Sequence, residues 1–281
     1  MTHPPASPTA AGPAAGPAAG PGAYVIGVDS GGSGLRVALG RVGLPGPLAT
    51  TVCAEPVRTG PGGIDAGHLL DQLLPAAREL LERAAESSAD GTPAGEDEAP
   101  VGEVAALAIG AAGMATLGER LRAELPGALA DALGVRRLAL AADAVTAYAG
   151  AVGQRPGAVV AAGTGMIALG TDLMEWHRAD GWGHLLGDSG GGAWIGRAGL
   201  DAAMRAHDGR RGGSPALLDR LRAVFGPADE LPGLLYPRSD RPAVLASFAP
   251  EVAACAGADP VAAGILRAAA GHIAEAAAAV C

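Results

Sequence analysis

Tyr24-Val25-Ile26-Gly27-Val28-Asp29-Ser30-Gly31-Gly32-Ser33-Gly34 runs directly into a second apolar stretch, Leu35 to Leu39. Apolar residues on both sides of a run of small ones predict two strands, Tyr24–Asp29 and Leu35–Gly40, joined by a tight glycine turn. The backbone N–H groups of such a turn converge and make a cradle for an anion. The same construction returns much later, where Val159-Val160-Ala161-Ala162 leads through Gly163-Thr164-Gly165 into Met166 to Leu169. Two such hairpins, one in each half of the chain, can hold a polyphosphate from both sides.

The stretches between them alternate in type. Leu48–Val57 is predicted as a third strand, and Asp65 to Ser87 as a helix whose apolar face is Leu69, Leu70, Leu73, Leu74, Leu80 and Leu81. Ala89 to Pro100 is acidic, carries Gly and Pro, and reads as a surface loop. A buried strand (Val104–Gly110), a helix (Leu117–Leu133), a strand (Arg137–Ala142) and a helical stretch (Ala144–Val152) follow. After the strand Ala158–Ala162 the order restarts, and Gly190 to Cys281 is mostly helical, punctuated by Pro227, Pro232, Pro237 and Pro242. This predicts an α/β protein of two similar lobes, each a mixed sheet plus helices, around a central cleft. The expected division is a disordered Ala/Pro/Gly tail over residues 1–22, one lobe over 23–142 and a second over 143–281.

Composition narrows the chemistry. All 20 basic residues are arginine. With no lysine there is no G-x-x-x-x-G-K-S/T phosphate loop, no protein-kinase strand lysine and no Schiff base. A net charge of −9 argues against nucleic acid as a partner. Cys53, Cys255 and Cys281 lie far apart, which speaks against zinc or a disulfide framework and for a reducing, cytoplasmic setting. No apolar run approaches the ~18 residues of a membrane span. The first residues lack a basic n-region, so no signal peptide is expected.

Three places carry candidate chemistry. Asp29, a carboxylate at a strand end, suits Mg²⁺ held through water, with Ser30, Gly31, Gly32, Ser33 and Gly34 around phosphate; the alternative is an ordinary hairpin turn. Asp143 follows a strand and opens a helix, so it is either an N-cap or a general base pointing into the cleft. Gly181-Trp182-Gly183-His184-Leu185-Leu186-Gly187-Asp188-Ser189-Gly190-Gly191-Gly192-Ala193-Trp194-Ile195-Gly196-Arg197 holds two of the three tryptophans among seven glycines. It reads as a shaped loop presenting Asp188, with His184 as a packing residue.

The segment Gly181 to Arg197 resembles the G-W-G-x-x-x-G-D-E-G-S-G stretch of the BadF/BadG-type ATPase family, in its N-acetylglucosamine kinase branch. Asp29 to Gly34 and Ala162 to Met166 resemble the first and second phosphate motifs of the wider actin, hexokinase and heat-shock-chaperone ATPase superfamily. Val104–Met114 is similar to the family's strand with its G-x-A-G-like turn. The resemblance implies an ATP- and Mg²⁺-dependent kinase that phosphorylates an amino sugar, N-acetylglucosamine, on its 6-hydroxyl. It implies Asp143 as the base, Gly163, Thr164 and Gly165 at the ATP phosphates, and Gly113, Asp143, Gly183 and Asp188 at the sugar. Two alternatives stand beside it: an ATPase that activates an iron–sulfur enzyme, a function known from the same family, and a non-catalytic sugar sensor, suggested by the early end of the sequence. Ser189 stands where the family has glutamate, and Thr59 to Asp65 lacks the family's sugar-binding asparagine. The family continues beyond the last helix into a strand and an adenosine-binding turn. A stop at Cys281 therefore implies an open sheet edge, base-indifferent nucleotide binding and self-association, a homodimer included.

Overall fold

The computed structural model describes residues 22–31, 34–60, 63–89, 104–111 and 118–281. The expected tail, the body of the acidic loop, Gly32, Ser33 and Gly113 lie outside the described residues. The first hairpin forms as expected: β1 (Tyr24–Gly31) and β2 (Gly34–Arg41) are antiparallel, with Gly31 opposite Gly34 and Asp29 opposite Arg36. β3 (Ala49–Cys53) adds to β2 but is shorter than expected, because Pro56 follows within three residues and proline has no N–H for a ladder. Two two-residue strands, β4 (Thr59–Gly60) and β5 (Gly63–Ile64), form a small ribbon ahead of α1 (Ala66–Ala89). β6 (Val104–Ala111), α2 (Glu119–Leu133) and β7 (Leu138–Ala142) complete this half.

The five strands take the order β3-β2-β1-β6-β7, with β6 parallel to β1 and β7 parallel to β6. Period-two alternation gives the sheet two unlike faces. Ile26, Val28, Leu35, Val37, Leu107 and Ile109 point to one side and are buried under α1 and α2 through Leu69, Leu73, Leu80, Leu121, Leu125 and Leu129. On the expected apolar face of α1, Leu69, Leu73 and Leu80 are fully buried, whereas Leu70, Leu74 and Leu81 pack at its margin. The opposite face stays open over β1, β2 and β3.

β7 runs without a loop into α3 (Asp143–Ala151), which leads to a second antiparallel sheet of β8 (Gly157–Ala162), β9 (Met166–Thr171) and β10 (Trp176–Asp180), in the order β10-β9-β8. In β9, Met166 and Ala168 face one way and pack with Ala276 and Val280, while Ile167 and Leu169 face the other and meet Ala144 and Tyr148 of α3. The remainder is α4 (Gly192–His207), α5 (Pro215–Phe225), α6 (Leu231–Leu235), α7 (Arg241–Ala246), α8 (Ala249–Cys255) and α9 (Pro260–Ala279), packed about Phe248, Leu217 and Leu221. Each of α5 to α9 has proline in its first turn, so Pro232 and Pro242, two of the four punctuating prolines, start helices rather than interrupt one. Among the described residues no single helix is long and apolar enough to cross a membrane.

Two helix starts share one device. Ser214 Oγ accepts the Leu217 amide at 3.0 Å and donates to Asp259, whose Oδ1 accepts the amides of Val261 at 2.7 Å and Ala262 at 3.1 Å. Burial works against the Asp259 charge, but the Ser214 hydroxyl and the two amides outweigh it and hold its carboxyl below the ordinary value. A lowered carboxyl contributes stability above the unfolded-state pKa and loses it as pH falls through the folded one. Asp259→Asn is therefore expected to cost about 1 kcal/mol in urea unfolding at pH 7, the usual size of a cap. The difference from the parent should shrink toward pH 3, and a constant difference across that range would contradict this role.

Candidate active site

β1, β6 and β7 end together: Ser30 lies opposite Ala111, and Ala111 opposite Ala142. The carboxyl edge of parallel strands is where ligands bind in open α/β sheets, because the chain leaves it in diverging directions. Asp29 stands at this edge on the open face, while its neighbour Ser30 points inward and is 4% exposed. Ser30 can therefore meet a ligand only through its backbone. At the turn, Gly34 has φ +129°, and a Cβ there would come within 2.4 Å of the Cys53 carbonyl oxygen.

Asp29 has a partner that the sequence reading did not assign. Arg36 Nη1 donates to Asp29 Oδ2 at 3.1 Å, across the hairpin register that sets the two residues opposite each other. Both side chains are about half exposed, 54% and 48%, and such pairs contribute only about 0.2–1 kcal/mol. The pair is thus easily exchanged for stronger partners.

Asp143 is the first residue of α3, and the N-cap position falls to Ala142, the extended last residue of β7. The expected N-cap role is corrected accordingly: with no loop between strand and helix, the strand's own end serves as the cap. Asp143 Oδ1 accepts the Ala144 amide at 2.8 Å, and the helix dipole favours a carboxylate there. The helix lies close against β6. A Cβ on Gly110 would fall 1.9 Å from Thr146 Oγ1, so only glycine permits this approach. Asp29, Arg36, Asp143 and Thr146 consequently line one open groove of about 520 Å³, floored by the bare face of β1, β2 and β3.

The second glycine turn belongs to a different cluster. Gly163 N bonds to the Gly165 carbonyl at 2.9 Å, so the first amide of this turn is used within it. Its carbonyls reach back to the start of α4, where Gly192 N meets Gly163 O at 2.7 Å and Ala193 N meets Thr164 O at 2.8 Å. Asp188 packs so tightly beneath the turn that a Cβ on Gly165 would lie 2.4 Å from its Oδ2. Its Oδ1 accepts the Gly183 amide at 3.0 Å. Asp180, a second residue absent from the sequence reading, accepts the amides of Asp188 and Ser189 through its two carboxylate oxygens. Asp180 and Asp188 both adopt left-handed backbone angles, φ +60° and +57°, a strained state that clusters at functional sites. Burial foremost, and then the Asp180 charge, push the Asp188 carboxyl above its ordinary value against the pull of the Gly183 amide.

The structure thus brings Asp29 and Asp143 together, and separately joins Gly163–Gly165 to Gly183 and Asp188. α3 spans both groups, packing through Thr146 on β6 and through Ala144 and Tyr148 on the second sheet. Tyr148 also meets Trp176 edge-on, with ring centres 5.1 Å apart. Cys53, Cys255 and Cys281 sit on β3, at the end of α8 and at the last residue.

The model of the BadF/BadG/BcrA/BcrD ATPase family matches residues 26–281. The N-acetylmuramic acid/N-acetylglucosamine kinase of Clostridium acetobutylicum is 41% identical over 69 residues, 24% of this chain and 22% of that protein. The chain therefore spans about a fifth of that curated relative's length. The structure of a candidate N-acetylglucosamine kinase from Chromobacterium violaceum superposes with a TM-score of 0.69 at 30% identity, over 91% of this chain and 82% of that one. A second such protein, from Porphyromonas gingivalis, shares the fold alone, with a TM-score of 0.64 at 17% identity over 88% and 77% of the two chains. The expected α/β class is the one these proteins carry. The match begins in the first strand of the first hairpin and ends at the last residue, and on that span the chain belongs to the BadF/BadG/BcrA/BcrD ATPase family.

Proposed function

We propose that this protein is an ATP-dependent kinase of an amino sugar, with N-acetylglucosamine as substrate and its 6-hydroxyl as acceptor. The observation that carries the reading is the shared groove: Asp143 at the carboxyl end of the parallel strands, Asp29 at the first glycine turn, and the open sheet face between them. Family membership and the likeness to the Chromobacterium protein support it.

Asp143 accepts the proton of the sugar hydroxyl as its oxygen attacks the γ-phosphorus and ADP leaves. Positioning and electrostatics supply the rest of the rate. Asp29 is the residue placed to hold Mg²⁺. The donor set suits that ion, which takes one or two carboxylates and fills its remaining positions with water and phosphate oxygens. Mg²⁺ there would neutralise charge on the phosphates. Gly31 and Gly163 suit a close phosphate, since a Cβ on either meets no atom within 4 Å. Thr164 and Gly165 face the phosphates from the second turn, and Gly183 and Asp188 border the sugar. Two lobes, 23–142 and 143–281, meet at α3 and close to exclude water. Its three free cysteines suit the reducing cytoplasm, where we place the protein.

Asp188 acts here by holding the Gly183 loop against the second turn. Asp188→Ala removes the acceptor of the Gly183 amide and the side chain packed under Gly165, at about 1 kcal/mol for the hydrogen bond. Calorimetric titration is expected to show losses of affinity for both sugar and nucleotide. A loss confined to sugar would instead make Asp188 a direct sugar ligand. The proposed chemistry is tested by phosphorus NMR of the product from N-acetylglucosamine and ATP. A phosphomonoester coupled to two methylene protons is expected; absence of any sugar phosphate would contradict the assignment.

A further inference from the structure

We infer that Arg178 is a receptor for a carboxylate on the sugar, so that the site takes amino sugars with an acidic substituent as well as neutral ones. The inference rests on the kinase reading above. It starts from a cation that has a ring but no anion. Arg178 Cζ lies 3.9 Å from the centre of the Trp182 ring, and among the described residues the guanidinium makes no ion pair or hydrogen bond. Stacking on an indole covers one face of the guanidinium and leaves the N–H donors at its edge open. That fork matches the two oxygens of a carboxylate.

Alternate residues of β10 explain the placement. Trp176, Arg178 and Asp180 stand opposite Thr171, Leu169 and Ile167 of β9 and share their face. Leu169 and Ile167 meet α3, and Trp176 meets it through Tyr148. Arg178 is therefore on the side of the sheet that carries α3, the helix that Asp143 opens. The loop after β10 returns to this side. A Cβ on Gly181 would lie 2.7 Å from Ile167 Cδ1, and Trp182 folds back over Arg178. Trp182 directly precedes Gly183, which borders the sugar in the kinase reading.

The neighbouring acids leave this cation uncompensated. Both carboxylate oxygens of Asp180 accept amides, those of Asp188 and Ser189, and Asp188 itself is turned to the Gly183 amide and beneath Gly165. The phosphate turn is out of reach as well. Arg178 stands opposite Leu169, four residues beyond Gly165, and four residues are roughly 13 Å along a strand, more than its side chain spans. An anion that meets Arg178 is thus carried by the sugar.

N-acetylmuramic acid is N-acetylglucosamine with a carboxylate on an ether at its 3-oxygen, and its methyl ester is the uncharged counterpart. Calorimetry of the full chain with these three sugars tests the inference. The parent is expected to bind the acid about tenfold more tightly than the ester, the size of one charge-assisted pair. Arg178→Gln should bind acid and ester alike, with Arg178→Lys recovering part of the preference. Equal binding of acid and ester by the parent, or a preference that survives in Arg178→Gln, would overturn the inference. So would a loss of Mg²⁺–ADP affinity in Arg178→Gln as large as its loss for the acid, which would make Arg178 a phosphate contact. A parent that binds N-acetylglucosamine but neither muramyl sugar refutes this inference alone. A parent that binds none of the three overturns the kinase reading as well.

Discussion

Asp143→Asn is expected to lower kcat by about two to four orders of magnitude while leaving folding and nucleotide affinity close to the parent's. The asparagine oxygen can still accept the Ala144 amide, so the start of α3 survives the change. What is lost is the capacity to take a proton at the carboxyl edge of the central strands. Steady-state turnover at saturating sugar, with calorimetry of ADP as control, reads the two effects apart. Near-parental turnover would leave Asp143 as a residue of the helix start and nothing more.

Gly110→Ala is expected to damage stability and turnover together. The new Cβ would fall 1.9 Å from Thr146 Oγ1 and 2.9 Å from both Thr146 Cβ and Cγ2. Either β6 or α3 must move, and overpacking of this kind costs about 1–3 kcal/mol. Because Asp143 sits one turn before Thr146, the displacement also moves the base relative to Asp29. Urea unfolding should show the loss, and kcat of the folded fraction should fall with it. Adding Thr146→Ala removes two of the three clashing atoms and is expected to recover part of both quantities. Recovery of neither would place the damage elsewhere than at this contact.

The hairpins were legible because apolar residues flank runs of glycine and serine, a pattern that has few other structural solutions. Asp29 and Asp143 were legible one at a time, as carboxylates at strand ends. Their meeting was not, since it depends on β1, β6 and β7 ending in register and on a glycine, Gly110, whose partner is 36 residues further on. Arg36 escaped notice although the tight turn sets it opposite Asp29; the signal was its even spacing from Gly34, read across strands rather than along one. β10 carries Trp176, His177, Arg178, Ala179 and Asp180, of which the first three are exposed, so no apolar alternation marks it. With that strand unseen, Asp180 could not be connected to Asp188.

The account stands or falls on phosphoryl transfer to an amino sugar. A coupled assay of ADP release, run with Mg²⁺–ATP over N-acetylglucosamine, N-acetylmuramic acid, glucosamine and glucose, measures it directly. The account predicts sugar-dependent ADP release that is largest with an N-acetylated amino sugar and abolished by Asp143→Asn. ADP release at the same rate without sugar, or none with any of the four, would contradict it.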